Sequence, residues 1–168
     1  MQFASKADRR RITIDGEPVV ELDHTQLHPR LLYARCGQRL EGDAYTLTGW
    51  DRHAVKIAFN VLINAGSYRE AVGAIAKDLE GADRKRQATQ LIAALKNKHA
   101  GIAGSFHSGA GLRLQAIDAD MAEAVMVGLL KRNVVALPIH DSFLVQKRHE
   151  GILNEAMHAS YERALRSS

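Results

Sequence analysis

Two mostly apolar runs near opposite ends of the chain, each ending in an aspartate, constrain this fold more than any other feature. Residues 19–22 lead into Asp23, and residues 134–139 lead into His140-Asp141, with residues 143–145 following. Apolar runs of this length, bounded by turn-type residues, read as buried strands. If both strands join one sheet, the two carboxylates stand side by side. Adjacent carboxylates repel unless a hard divalent cation sits between them, and Mg²⁺ (or Mn²⁺) suits that oxygen-rich setting. Two such ions can clamp the attacking and leaving oxygens of a phosphoryl transfer.

The remaining pattern predicts α+β architecture. Residues 11–15 alternate apolar and polar, and Gly16-Glu17-Pro18 signals a turn before residues 19–23, which makes a first hairpin. Thr25 can cap a helix passing Leu27, Leu31, Leu32 and Ala34, with Pro29 in its first turns. Residues 38–50 read as polar loop with a short strand at 44–47. Asp51 caps an apolar-periodic helix through Val55, Phe59, Leu62 and Ile63, closed by Gly66. Helices over 68–79 and 84–97 follow, then a glycine-rich flexible loop over 101–111. A helix over 114–132 ends at Asn133, a second hairpin turns at His140-Asp141-Ser142, and a last helix covers 150–166. Two hairpins plus helices imply a mainly antiparallel sheet packed against helices. With no repeat and no linker, residues 1–168 read as a single domain.

Bulk composition narrows the function classes. A chain of 168 residues has room for one core and hardly for two. The formal net charge of +4 tolerates a polyanionic partner without requiring one. Arg9-Arg10-Arg11, Arg84-Lys85-Arg86, Lys96 with Lys98, and Lys131-Arg132 are basic clusters. Each alone is an ordinary solvated face; together they favour a nucleic-acid surface. No apolar run approaches the roughly 20 residues of a membrane helix, and no secretory signal opens the sequence, so no membrane partner is expected. The single cysteine, Cys36, excludes an internal disulfide, suits a reducing compartment and reads as a small buried residue. Cytoplasm is the expected location.

Singly, each motif has a plain structural reading. His140-Asp141-Ser142 uses common turn residues, and Asp23 could help cap a helix. Arg52 and Lys56, four residues apart, share a helix face. Such a pair is either a solvated surface or a grip for a triphosphate, arginine as a planar fork and lysine as a point charge.

In order along the chain, these segments resemble the motifs of family A nucleic-acid polymerases, the group of bacterial DNA polymerase I and the single-subunit phage-type RNA polymerases. The family's first motif reads Asp-Tyr-Ser-Gln-Ile-Glu-Leu-Arg; Asp23-His24-Thr25-Gln26-Leu27-His28-Pro29-Arg30 keeps its Asp, Gln and Arg. The second has Arg, Lys four later, and then Tyr-Gly; Arg52 and Lys56 match, but Asn64-Ala65 replace Tyr-Gly. The third, His-Asp-Glu in DNA enzymes and His-Asp-Ser in RNA enzymes, is similar to His140-Asp141-Ser142. Between them, Gln115 to Asp120 is similar to the family's Gln-Gly-x-Ala-Ala-Asp helix start, with Phe106-His107-Ser108 and Leu112-Arg113 nearby. The resemblance covers about residues 20–145.

The resemblance implies a palm-like sheet with a reduced, fingers-like helical segment at about 51–100. It implies Asp23 and Asp141 as catalytic metal carboxylates, with the His24 backbone carbonyl as a further ligand to Mg²⁺ or Mn²⁺. Arg52, Lys56, Gln26 and His28 would bind the nucleoside triphosphate, and Arg113, Gln115 and His140 the primer-template. His28 replaces the glutamate that reads the sugar in DNA polymerases, and Asn64 removes an aromatic platform. The family's thumb would precede the first motif, where only 22 residues stand. A partner chain would then supply it, or the chain is a fragment of a longer DNA polymerase serving DNA replication. The expected activity is nucleotidyl transfer onto a nucleic-acid 3′ end. The alternatives are a non-catalytic nucleic-acid-binding palm remnant and a metal-dependent phosphodiesterase.

Overall fold

A computed structural model describes residues 6–9 and 11–166, so Arg10 of the first basic cluster lies outside the described residues. The chain begins with helix α1 (Lys6–Arg9) and strands β1 (Thr13–Ile14) and β2 (Glu17–Asp23). Helices α2 (Leu27–Arg35), α3 (Arg52–Asn64), α4 (Tyr68–Asp78) and α5 (Arg84–Lys98) follow. A 3-10 segment, Ala100–Ser105, leads to the long helix α6 (Ala110–Leu130). Strands β3 (Ala136–Ile139) and β4 (Ser142–Gln146) and helix α7 (Glu150–Arg166) complete it. The fold is α+β with a four-stranded antiparallel sheet, as expected. No helix among the described residues is long and apolar enough to cross a membrane.

The chain divides into two compact units. One comprises the segments up to Thr25 and from Ile117; the other is Gln26–Ala116.

The first unit holds the sheet, in strand order β1-β2-β4-β3. Its first turn is Asp15-Gly16, not the expected Gly16-Glu17-Pro18. Ile14 pairs with Glu17 across a two-residue loop in which Asp15 (φ 52) and Gly16 (φ 78) are both left-handed. Two left-handed residues match the twist of the flanking strands, and Asp-Gly tolerates them. Alternation sorts β2 and β4 into two faces. Val20, Leu22, Phe143 and Val145 meet Val125 and Leu129 of α6 and Leu153 and Met157 of α7 in one apolar cluster. Glu21, Asp23, Ser142, Leu144 and Gln146 line the other face by register. All of β4 is buried, whereas β3 is half-exposed, with Leu137 39% accessible. The run at 134–139 was expected to be buried throughout. It forms an edge strand instead, where Pro138 costs little because one side of the strand is unpaired. Asn133 (φ 54) ends the preceding helix, its left-handed backbone letting Val134 N–H reach back to the Leu129 carbonyl at 3.0 Å.

The second unit is helical. Asp51 caps α3 as expected, its carboxylate accepting from Ala54 N–H at 2.9 Å. Gln26 (φ 55) occupies the cap position of α2 that Thr25 was expected to fill. Phe59 is fully buried and meets the rings of Tyr45, His99 and Phe106 edge-on, with centroids 5.2–5.8 Å apart. Burying such a ring contributes about 1.5–3 kcal/mol. No strand forms at 44–47; Ala44 and Tyr45 are buried in a turn, which explains their apolar character. The glycine-rich stretch at 101–111 is built rather than loose: it contains most of the 3-10 segment and the first two residues of α6. Cys36 is exposed, not buried.

Candidate functional site

The first candidate centre lies on the β2–β4 ladder. Asp23 is the Cα partner of Ser142, and Asp141 precedes Ser142 in the hairpin turn. Antiparallel partners have Cα atoms up to about 5.5 Å apart and chain neighbours about 3.8 Å, which bounds the Asp23–Asp141 Cα separation at about 9 Å. Both aspartates are exposed. Thr25 Oγ1 approaches Asp23 Oδ1 at 3.5 Å, the outer edge of hydrogen bonding. His24, whose carbonyl is the further expected ligand, is half-buried just beyond the strand. His140 is exposed and held at φ 53, a left-handed conformation that the tight two-residue loop imposes.

Sequence reasoning missed the support beneath these aspartates. Glu21, two residues before Asp23, shares its face by the period of two. Its carboxylate pairs with the Arg9 guanidinium at 3.0 Å and accepts from Ser142 Oγ at 2.8 Å. Ser142, 5% accessible, shares its proton with the Ile139 carbonyl at 2.9 Å. Glu21 therefore ties the two hairpins together and has its charge compensated. The alternation around Asp23 could have flagged it; its partners, distant in sequence, could not have been guessed.

Among the described residues no three His, Cys, Asp or Glu side chains cluster as a metal cage. A cation here would take its protein ligands from Asp23, Asp141 and the His24 carbonyl. That all-oxygen set is of the kind Mg²⁺ accepts, an ion that keeps several waters and seldom uses a full protein cage.

The second unit carries the expected nucleotide residues. Arg52 and Lys56 are both exposed on α3. Arg52 donates to Asp43 from Nε at 2.6 Å and from Nη2 at 3.3 Å, and its guanidinium stands 5.4 Å from the centre of the Tyr45 ring. The Arg52 hydrogen bond holds the Asp43 carboxyl below the usual range. Burial pushes the Tyr45 hydroxyl up to about 12. Lys56 makes no ion pair among the described residues. Gln26 accepts from Ala44 N–H at 2.7 Å, which fixes the side chain expected to meet the nucleotide. His28 is half-buried on α2; Arg113 and Gln115 are exposed near the start of α6. Asn64, in place of the motif's aromatic ring, donates to the Asn60 carbonyl at 2.8 Å and lies against Gly111, where a Cβ would collide with its amide.

In comparisons with protein-family models, curated proteins and solved structures, nothing matches this chain. The functional reading therefore rests on its residues and their geometry.

Proposed function

We propose that this chain is a polymerase-like nucleotidyltransferase palm that adds nucleotides to a nucleic-acid 3′ end. The observation that carries the reading is the β2–β4 register. It brings an aspartate from each hairpin to one end of one strand pair, on a ladder made by segments far apart in sequence. Phosphoryl transfer needs positioned charge rather than a protein nucleophile. Mg²⁺ or Mn²⁺, when bound, supplies charge neutralisation for the reacting oxygens. The chain's own residues would hold it: Asp23 and Asp141 by carboxylate and His24 by its carbonyl. The Arg9–Glu21–Ser142 network keeps the β2 end and the hairpin turn in register. Lys56 and Arg52 are the proposed triphosphate cations, His28 and Gln26 stand in the nucleotide motif, and Arg113, Gln115 and His140 face primer-template. The partners are a primer-template and a nucleoside triphosphate, in a cytoplasmic setting.

One observation favours a second reading. The bidentate Arg52–Asp43 pair occupies the guanidinium that a triphosphate would need. A palm that binds nucleic acid without catalysis has no use for a free Arg52. Primer extension with labelled nucleotides in Mg²⁺ and in Mn²⁺ separates the readings. Extension by the native chain, lost in Asp141→Asn, is the expected result. Binding of primer-template without extension in either metal supports the remnant, and cleavage of the primer without extension supports a phosphodiesterase.

A further inference from the structure

A groove within the second unit concentrates positive charge. A surface groove of about 680 Å³ opens between the end of α4 and the start of α5, lined by Gly73, Ala76, Lys77 and residues 82–86. Four of the lining side chains are cations, Lys77, Arg84, Lys85 and Arg86, against one acid, Asp83. Asp83 is engaged by Arg86 at 2.9 Å. It therefore makes no side-chain hydrogen bond to the first turn of α5, although it occupies the cap position. Lys77, Arg84 and Lys85 are exposed and take part in none of the ion pairs among the described residues. Three cations without ion-pair partners lining one concavity create a local positive potential that draws an anion. The open end of α5 adds the positive end of a helix dipole on the same side.

We propose that this groove binds the phosphodiester backbone of a nucleic-acid strand. Gly73 and Ala76, the smallest side chains of the lining with Ala82, leave room for a backbone to approach. No aromatic or amide side chain lines the groove to read a base, so recognition is of phosphates and independent of sequence. The volume is in the range of whole ligand sites rather than that of one phosphate. The cations come from both helices, Lys77 from α4 and Arg84 and Lys85 from α5. This site does not depend on the carboxylate reading, because it requires no metal.

The test is fluorescence anisotropy of the full chain with a labelled oligothymidylate of about twenty nucleotides, in EDTA, across a salt series. In the triple variant Lys77→Ala/Arg84→Ala/Lys85→Ala, affinity falls at least about tenfold, and the slope of log K against log salt shrinks by about 2, the value for three lost single-strand phosphate contacts. Removing three exposed cations elsewhere, Arg35→Ala/Lys147→Ala/Arg166→Ala, weakens binding less than about threefold. The single reversal Lys85→Glu reproduces the loss with one surface change, which guards against misfolding of the triple variant. Equal losses in the two triple variants would make the binding a property of net charge and overturn the site. Displacement of the oligonucleotide by inorganic tripolyphosphate at a lower phosphate concentration would reassign the groove to free polyphosphates and overturn it as well.

Discussion

Asp23 stands directly across the β2–β4 ladder from Ser142, which places it one residue out of register with Asp141. Glu21, the next residue on that face, is tied to the same serine at 2.8 Å. The end of the ladder thus has two solvent-facing carboxylates and one that is already paired. That difference predicts which acids answer to metal.

Titration calorimetry with Mn²⁺ should detect binding to the native chain. Asp23→Asn and Asp141→Asn should each abolish it. Glu21→Gln should leave affinity within about threefold, because Arg9 already neutralises that carboxylate. Unchanged affinity in Asp141→Asn would remove the metal site from this ladder.

The Arg52–Asp43 pair should be weak in stability and telling in function. Arg52 is more than half exposed, and a double-mutant cycle of Arg52→Ala and Asp43→Ala should give a small coupling that added salt weakens further. Because Arg52 lowers the Asp43 pKa, the stabilisation is present above the unfolded carboxylate value and is lost as pH falls through the folded one. Asp43→Ala should also free the guanidinium and tighten nucleoside triphosphate binding, measured by equilibrium dialysis. No change in that binding would argue that Arg52 is structural.

His99 should make the second unit acid-sensitive. The ring is fully buried, with Nε2 2.9 Å from the Ala44 carbonyl and Nδ1 2.9 Å from Tyr33 Oη. A carbonyl only accepts, so Nε2 carries the proton and Nδ1 accepts from the tyrosine. This neutral tautomer is fully satisfied, and burial lowers the pKa below 6.5. An imidazole that is harder to protonate folded than unfolded contributes stability above the unfolded pKa, and that contribution is lost as pH falls through the folded one. Urea midpoints should therefore fall on acidification from neutrality, and His99→Phe should flatten that dependence. The same variant should cost about 2–4 kcal/mol at neutral pH, since it strands the Tyr33 hydroxyl and the Ala44 carbonyl.

Gly111→Ala should destabilise by about 1 kcal/mol despite alanine's better helix propensity, because the new Cβ meets the Asn64 amide. In an Asn64→Ala background the same change should become neutral or stabilising. Thermal melts of the four chains measure this directly, and an equal cost in both backgrounds would place the strain elsewhere.

Phe143→Ala should cost about 3–5 kcal/mol, seen as a lower urea midpoint with unchanged slope. Phe143 joins the sheet to α6 and α7 from the strand that carries the Asp141 turn, so metal binding should weaken in parallel.

Local patterns carried what local physics decides. The Asp51 cap, the helices after it, the Asn133 stop, the second hairpin and the last helix were legible because hydrophobic period, caps and turn residues act within a few positions. The first turn was misplaced by one residue, since Asp15-Gly16 and Gly16-Glu17-Pro18 both read as turns and only pairing of Ile14 with Glu17 selects between them. The pairing of β2 with β4, the exposure of β3 at the sheet edge, and the engagement of Glu21 by Arg9 and Ser142 depend on which strands meet. So does the capture of Arg52 by Asp43, which follows from how the 43–45 turn packs. Those contacts join residues far apart in sequence, and their energy comes from burying shared surface and pairing opposite charges. No window along the chain contains that energy, so only the folded arrangement decided it.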